Sequence, residues 1–240
     1  MRQRRRLKRR SLLREAALGA GGVLLGCAPD AQTAGVFPAD LPRDRAAVFQ
    51  DLGRGQALPA LRGPDSRWAG TADDPARIEA TAAGVRLVSE PGRRAWVSPR
   101  LPLATLDGIL PGQIEELTWE ARIEVQRRFF IVCELRFAGE PGALLVQATP
   151  FDLQVFQDPE RPAGGTSESV SRRVGNGSTH FWRVRLAGGR LDLRLDGTTI
   201  WSREGPRALA RVAFGETRTD EGHGGTMLLR DVVYVRRPIA

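Results

Sequence analysis

From Trp68 onward the chain alternates apolar and polar residues in short runs separated by Gly, Pro and Asp, and no stretch carries the spacing of an amphipathic helix. The clearest run is Leu117–Val125, where Trp119, Ala121, Ile123 and Val125 alternate with Glu120, Arg122 and Glu124. Similar strands are predicted over residues 76–88, 131–137, 144–148, 151–156, 209–214 and 227–235. Many short strands at even spacing predict a sandwich or a barrel. A short helix within residues 43–52 is also compatible with the positions of Ala46, Ala47, Val48 and Leu52.

Residues 180–201 give the strongest local signal. Gly188-Gly189 and Asp196-Gly197 both suit two-residue hairpin loops, which require positive φ, so the segment predicts a three-strand meander. Counting from two-residue loops sets Trp182 opposite Leu195, Leu186 opposite Leu191, and Leu193 between Val184 and Ile200. The other face pairs Arg185 with Asp192 and Asp192 with Trp201. It also sets Arg183 against Arg194, an unfavourable like-charge pair that calls for a carboxylate or anionic ligand between them, or for both side chains splayed into water. A bulged second loop would turn Trp201 toward the core instead.

Charge changes this picture only at the start of the chain. Of the formal net charge of +8, nearly all sits in residues 1–26, where eight Lys and Arg face the single Glu15. The rest of the chain is close to neutral, which argues against a nucleic-acid footprint. Hydrophobic residues at 41% and charged residues at 27% fit a globular domain, and no apolar run approaches the roughly 20 residues of a spanning helix.

The cationic run is followed by a short apolar stretch from Ala16 to Leu25, the layout of an export signal. Arg9-Arg10-Ser11-Leu12-Leu13-Arg14 resembles a twin-arginine signal, with Lys8 where Ser or Thr is usual. Leu24-Leu25-Gly26-Cys27 resembles the bacterial lipobox, which implies acylation of Cys27 and a lipid anchor on a membrane of the bacterial envelope, facing periplasm or exterior. The expected organisation is a signal peptide over 1–26, a lipidated N-terminus and Pro-rich tether over 27–66, and a β-sandwich domain over 67–240. With Cys27 acylated, Cys133 has no disulfide partner, and its apolar surroundings Phe129–Val132 predict a buried, inert thiol.

The meander, the Phe214-Gly215 step, the Gly-rich loop 221–226 and the closing strand Leu229–Val235 together resemble the concanavalin A-like jelly rolls, in particular their laminin-G-like and glucanase-like members. The resemblance covers about residues 68–237 and rests on turns and core strands. It implies two curved antiparallel sheets, a face that commonly receives glycans, and functions from lectin to glycosidase to lyase, among which fold analogy cannot choose.

Retaining glycosidases of this fold place three acidic residues on one strand. The nearest match, Glu120-Ala121-Arg122-Ile123-Glu124, has Arg122 at the central acidic position. That arginine would lower the pKa of both neighbours and disable a protonated acid, so the segment reads as a solvated strand face and no catalytic residue is assigned. The loop Asp220-Glu221-Gly222-His223 offers oxygen ligands to calcium but matches no defined calcium loop; no metal or other cofactor is assigned. A glycan would need an aromatic plane and bidentate hydrogen-bonders. Glu134, Arg136, Gln147 and Gln154 on successive strands, with Trp201 as a stacking surface, are the candidates. The expected function is an envelope lipoprotein that binds carbohydrate or another polymer without cleaving it. A glycan-cleaving enzyme with an atypical acidic pair, and a structural or partner-binding module, stay open.

Overall fold

The computed structural model describes residues 58–63, 66–100, 113–158, 167–170, 174, 177–205 and 208–238. The predicted signal, lipobox and helix therefore lie outside the described residues, as does most of the tether. The described elements are all strands: β1 (Trp68–Ala72), β2 (Arg77–Thr81), β3 (Gly84–Ser89), β4 (Ala95–Pro99), β5 (Gln113–Gln126), β6 (Phe130–Phe137) and β7 (Ala143–Ala148). These are followed by β8 (Leu153–Asp158), β9 (Ser167–Val170), β10 (Thr179–Ala187), β11 (Arg190–Leu195), β12 (Thr198–Glu204), β13 (Leu209–Glu216) and β14 (Gly225–Pro238).

They form two seven-stranded antiparallel sheets, β1-β4-β13-β6-β7-β8-β9 and β12-β11-β10-β5-β14-β3-β2. The order shows why the chain closes as a jelly-roll β-sandwich. Strands distant in sequence, β4 and β13 in one sheet and β5 and β14 in the other, pair inside the layers, away from the edges.

Period-two alternation accounts for the packing. In the second sheet Leu117, Trp119, Ala121, Trp182, Val184, Leu191 and Leu193 face inward, and in the first Leu135, Val146, Val155, Val212 and Phe214 face them. Trp119 is the centre: its ring stacks on Trp182 at 5.9 Å and 4°, and meets Phe214 of the opposite sheet at 5.1 Å and 58°. Cys133 is wholly buried in this core, and burial pushes its thiol pKa well up, as an inert cysteine requires. Leu58 and Leu61, inside the expected tether, pack against the same cluster.

The meander has the counted register through its first hairpin: Trp182 faces Leu195, Arg185 faces Asp192 and Leu186 faces Leu191. Gly188, Gly189, Asp196 and Gly197 take φ of 58°, 79°, 48° and 81°, as two-residue turns require. The second hairpin departs from the count. A register shift between Leu193 and Arg194 leaves Ile200 unopposed, so Leu193 faces Trp201 and Asp192 faces Ser202. The bulge, rather than a longer loop, is what turns Trp201 onto the core face, where it packs against the main cluster. The run 76–88 also resolves differently, into β2 and β3 joined by a turn in which Thr81 Oγ1 donates to Gly84 O at 2.7 Å.

Candidate glycan-binding face

On the side of the first sheet turned away from the main core, Glu134 and Arg136 alternate with core residues along β6. Gln147 of β7 stands directly opposite Gln154 of β8, and its Nε2 donates to Gln154 Oε1 at 2.9 Å. Arg136 Nε donates to Glu134 Oε1 at 2.9 Å, and Thr217 Oγ1 donates to Glu134 Oε2 at 2.7 Å. Burial pushes the Glu134 carboxyl up, but the hydrogen bonds from Thr217 and Arg136 and the charges of Arg136 and Arg211 outweigh it and hold Glu134 below its ordinary range. The side chain is a pinned carboxylate acceptor, not a proton donor.

Two features of this face escaped the alternation argument. Ile131, Ala143 and Leu145 form a small buried cluster of their own, with Phe156 packed on it. The signal was the run Ala143-Leu144-Leu145-Val146, which is apolar at consecutive positions and so puts apolar residues on both faces of β7. The second is Trp96 on β4. Its neighbours Val97 and Ala95 are buried, and the Arg211 guanidinium lies over its ring at 4.6 Å. Trp96 therefore provides an aromatic plane on this face. Trp201, the plane expected from sequence, belongs to β12 at the edge of the opposite sheet and does not join the other four candidates.

At the end of β6 the fully buried Glu216 carboxylate accepts from the backbone N–H groups of Ile131 at 3.2 Å and Arg218 at 2.9 Å. His223 Nδ1 lies 3.3 Å from the same carboxylate, and its ring meets Phe129 at 5.5 Å. The neighbouring Thr217 carries the contact on to Glu134.

The outer face of the second sheet is different in kind. Arg183, opposite Arg194 as counted, pairs with Glu116 of β5, on the side of β10 away from Arg194, so this carboxylate neutralises one arginine without lying between the two. Glu120 accepts from Arg230 at 2.6 Å, and Glu124 accepts from both Arg86 and Arg122. Against its partial burial, those arginines keep Glu124 below its ordinary pKa. The strand Glu120–Glu124, expected as a solvated face, is ion-paired: Arg122 pairs with Glu124, and Glu120 pairs with Arg230.

No protein-family model matches the chain, and no curated protein resembles it in sequence. Solved structures do resemble it. Alginate lyase AlgAT5 of polysaccharide lyase family 7 superposes with a TM-score of 0.53 at 9% identity, over 80% of this chain and 93% of that one. The alginate lyase from a Corynebacterium species gives 0.50 at 8% identity over the same shares, 80% and 93%. An alginate lyase from Pseudomonas aeruginosa is 16% identical with a TM-score of 0.49, over 69% of this chain and 87% of that one. At such identities the likeness establishes the jelly-roll β-sandwich, and the site must be argued from its own residues.

Proposed function

We propose that this chain is a lipid-anchored protein of the bacterial envelope whose first sheet binds a glycan on its outward face without cleaving it. The observation that carries the reading is two hydrogen-bonded pairs on one face, Arg136 with Glu134 and Gln147 with Gln154, set around an apolar cluster, with an aromatic plane on the same face. Sugars present apolar C–H faces and paired hydroxyls, and such a surface complements both. The absence of catalysis is argued from protonation: Glu134 and Glu124 are held ionised and ion-paired, and Tyr234 lies in the core with its hydroxyl on Glu115. The alginate lyases of the same fold make a polyuronate the first ligand to try, and Arg136 and Arg211 supply suitable cations.

The test is affinity electrophoresis of the full chain through gels containing alginate, a neutral β-glucan or no polymer, with and without calcium. Retention that is lost in Arg136→Ala is expected, with no release of reducing ends. Retention unchanged in Arg136→Ala would remove the face from consideration.

A second reading, cleavage, is favoured by one observation: His223 beside the buried Glu216 carboxylate has the arrangement of an oriented general base. Release of reducing ends that disappears in His223→Ala and Glu134→Gln would establish it in place of the first.

A further inference from the structure

Phe151 is 75% exposed, the most exposed large apolar side chain among the described residues, yet its backbone is closely held. Thr149 Oγ1 accepts from the N–H groups of Phe151 at 3.2 Å and Asp152 at 3.0 Å, and its hydroxyl donates to the Asp152 carboxylate. The Thr149 N–H donates to Asp152 O at 2.9 Å and closes the turn. The turn is tied to the polar row as well, because Gln154 Nε2 reaches Asp152 Oδ1 at 3.4 Å while Gln154 Oε1 receives Gln147. The turn bonds serve the hairpin, but the exposed ring adds little to the fold, since burial rather than exposure is what stabilises such a side chain. An exposed ring on an ordered turn, two residues along the chain from a hydrogen-bonded amide pair, is placed to serve as a stacking contact.

We infer that Phe151 is the apolar platform for one pyranose ring at the β7–β8 end of the glycan-binding face, with Gln147 and Gln154 hydrogen-bonding the hydroxyls of that sugar unit. The inference rests on the reading of the face proposed above and adds to it a residue and a direction: the bound polymer extends past Gln154 to the turn. Phe181, 46% exposed on the second sheet, stands opposite Glu120, which is ion-paired with Arg230, rather than beside a pair of amides, and serves as the control.

The experiment measures retention of the full chain on alginate and on the neutral β-glucan, and sedimentation with phosphatidylglycerol vesicles. The variants are Phe151→Ala, Phe151→Trp, Phe181→Ala and Arg136→Ala, each checked by circular dichroism. Loss of one ring–sugar stack is expected to weaken polymer binding roughly ten-fold in Phe151→Ala, to be restored in Phe151→Trp and to be absent in Phe181→Ala. Weakening in Arg136→Ala with none in Phe151→Ala overturns the platform and leaves the face intact. Failure of the unaltered chain to bind either polymer overturns both, and a Phe151→Ala defect confined to vesicles assigns the ring to a lipid surface instead.

Discussion

Gly215 has φ of +94°, and a Cβ there would sit 2.4 Å from Ala95 O and 2.7 Å from Leu87 Cδ1, so both the conformation and the space require glycine. Gly215→Ala should destabilise the sandwich by about 3 kcal/mol in chemical denaturation, because strain and a backbone clash add. Two buried carboxylates carry opposite pH signatures. Burial raises Glu115 above its ordinary 4.5, against hydrogen bonds from Tyr234 and the Leu209 N–H and the charge of Arg236. A raised folded value means that its contribution to stability is full below about pH 4.5 and is lost as pH rises through that folded value. Glu115→Gln should therefore flatten the decline in Tm as pH rises above about 4.5 relative to the unaltered chain. Glu134 has its folded value lowered, so its contribution is present above 4.5 and is lost as pH falls through the folded value. The Tm difference between the unaltered chain and Glu134→Gln should shrink on acidification below about pH 4.5; a constant difference would mean that the Arg136 and Thr217 contacts do not hold the charge.

Among the elements, the β11–β12 hairpin separates what turn chemistry specifies from what a bulge alters. Asp196, at φ of 48°, accepts from the Phe181 N–H at 2.9 Å and holds His180 Nδ1 at 2.8 Å, so it fixes the loop by conformation and by side chain together. Asp196→Ala should cost about 1–2 kcal/mol and Asp196→Asn less, since asparagine tolerates left-handed backbone and keeps an acceptor; equal losses in a denaturation series would count against this account. The Asp-Gly and Gly-Gly dipeptides made both turns legible from sequence. Nothing in Thr198–Trp201 marks Ile200 as an unopposed residue, and the side on which Trp201 lies changed with it. Strands β1 and β4 went unread for a related reason: Trp68–Ala72 and Ala95–Pro99 are five-residue pieces, and β4 buries four of its five positions, so alternation has nothing to report. The outward position of Glu134, Arg136, Gln147 and Gln154 was legible from alternation, but their register was not: Gln147 and Gln154 face each other, while Glu134 stands opposite Leu145. Trp96 and the Ile131 cluster were not legible, because an aromatic or aliphatic residue carries no mark of which face receives it.

Taken as a whole, the molecule has two outer faces of unlike character, and the difference bears on how it is held in place. The second sheet pairs its charges internally, so Glu120→Gln or Glu124→Gln should leave polymer retention unchanged while Arg136→Ala removes it. Neither outer face offers a broad apolar surface, and no helix among the described residues is long and apolar enough to cross a membrane. The proposed membrane retention rests on the lipobox-like Cys27, through acyl chains that each contribute about 0.8 kcal/mol per buried CH₂. Two chains suffice for a stable hold where one gives only reversible binding, so the anchor should behave as all or nothing. Cys27→Ser is expected to move the protein from the membrane pellet to the soluble fraction with Tm unchanged, because among the described residues the first to pack against the core is Leu58. Arg9→Lys with Arg10→Lys should leave the full chain unprocessed inside the cell, since the export route reads the arginine pair and not its charge. A Cys27→Ser protein that stays in the pellet after a high-salt wash would transfer the membrane contact to the folded domain, and Phe151 would be the first side chain to test for it.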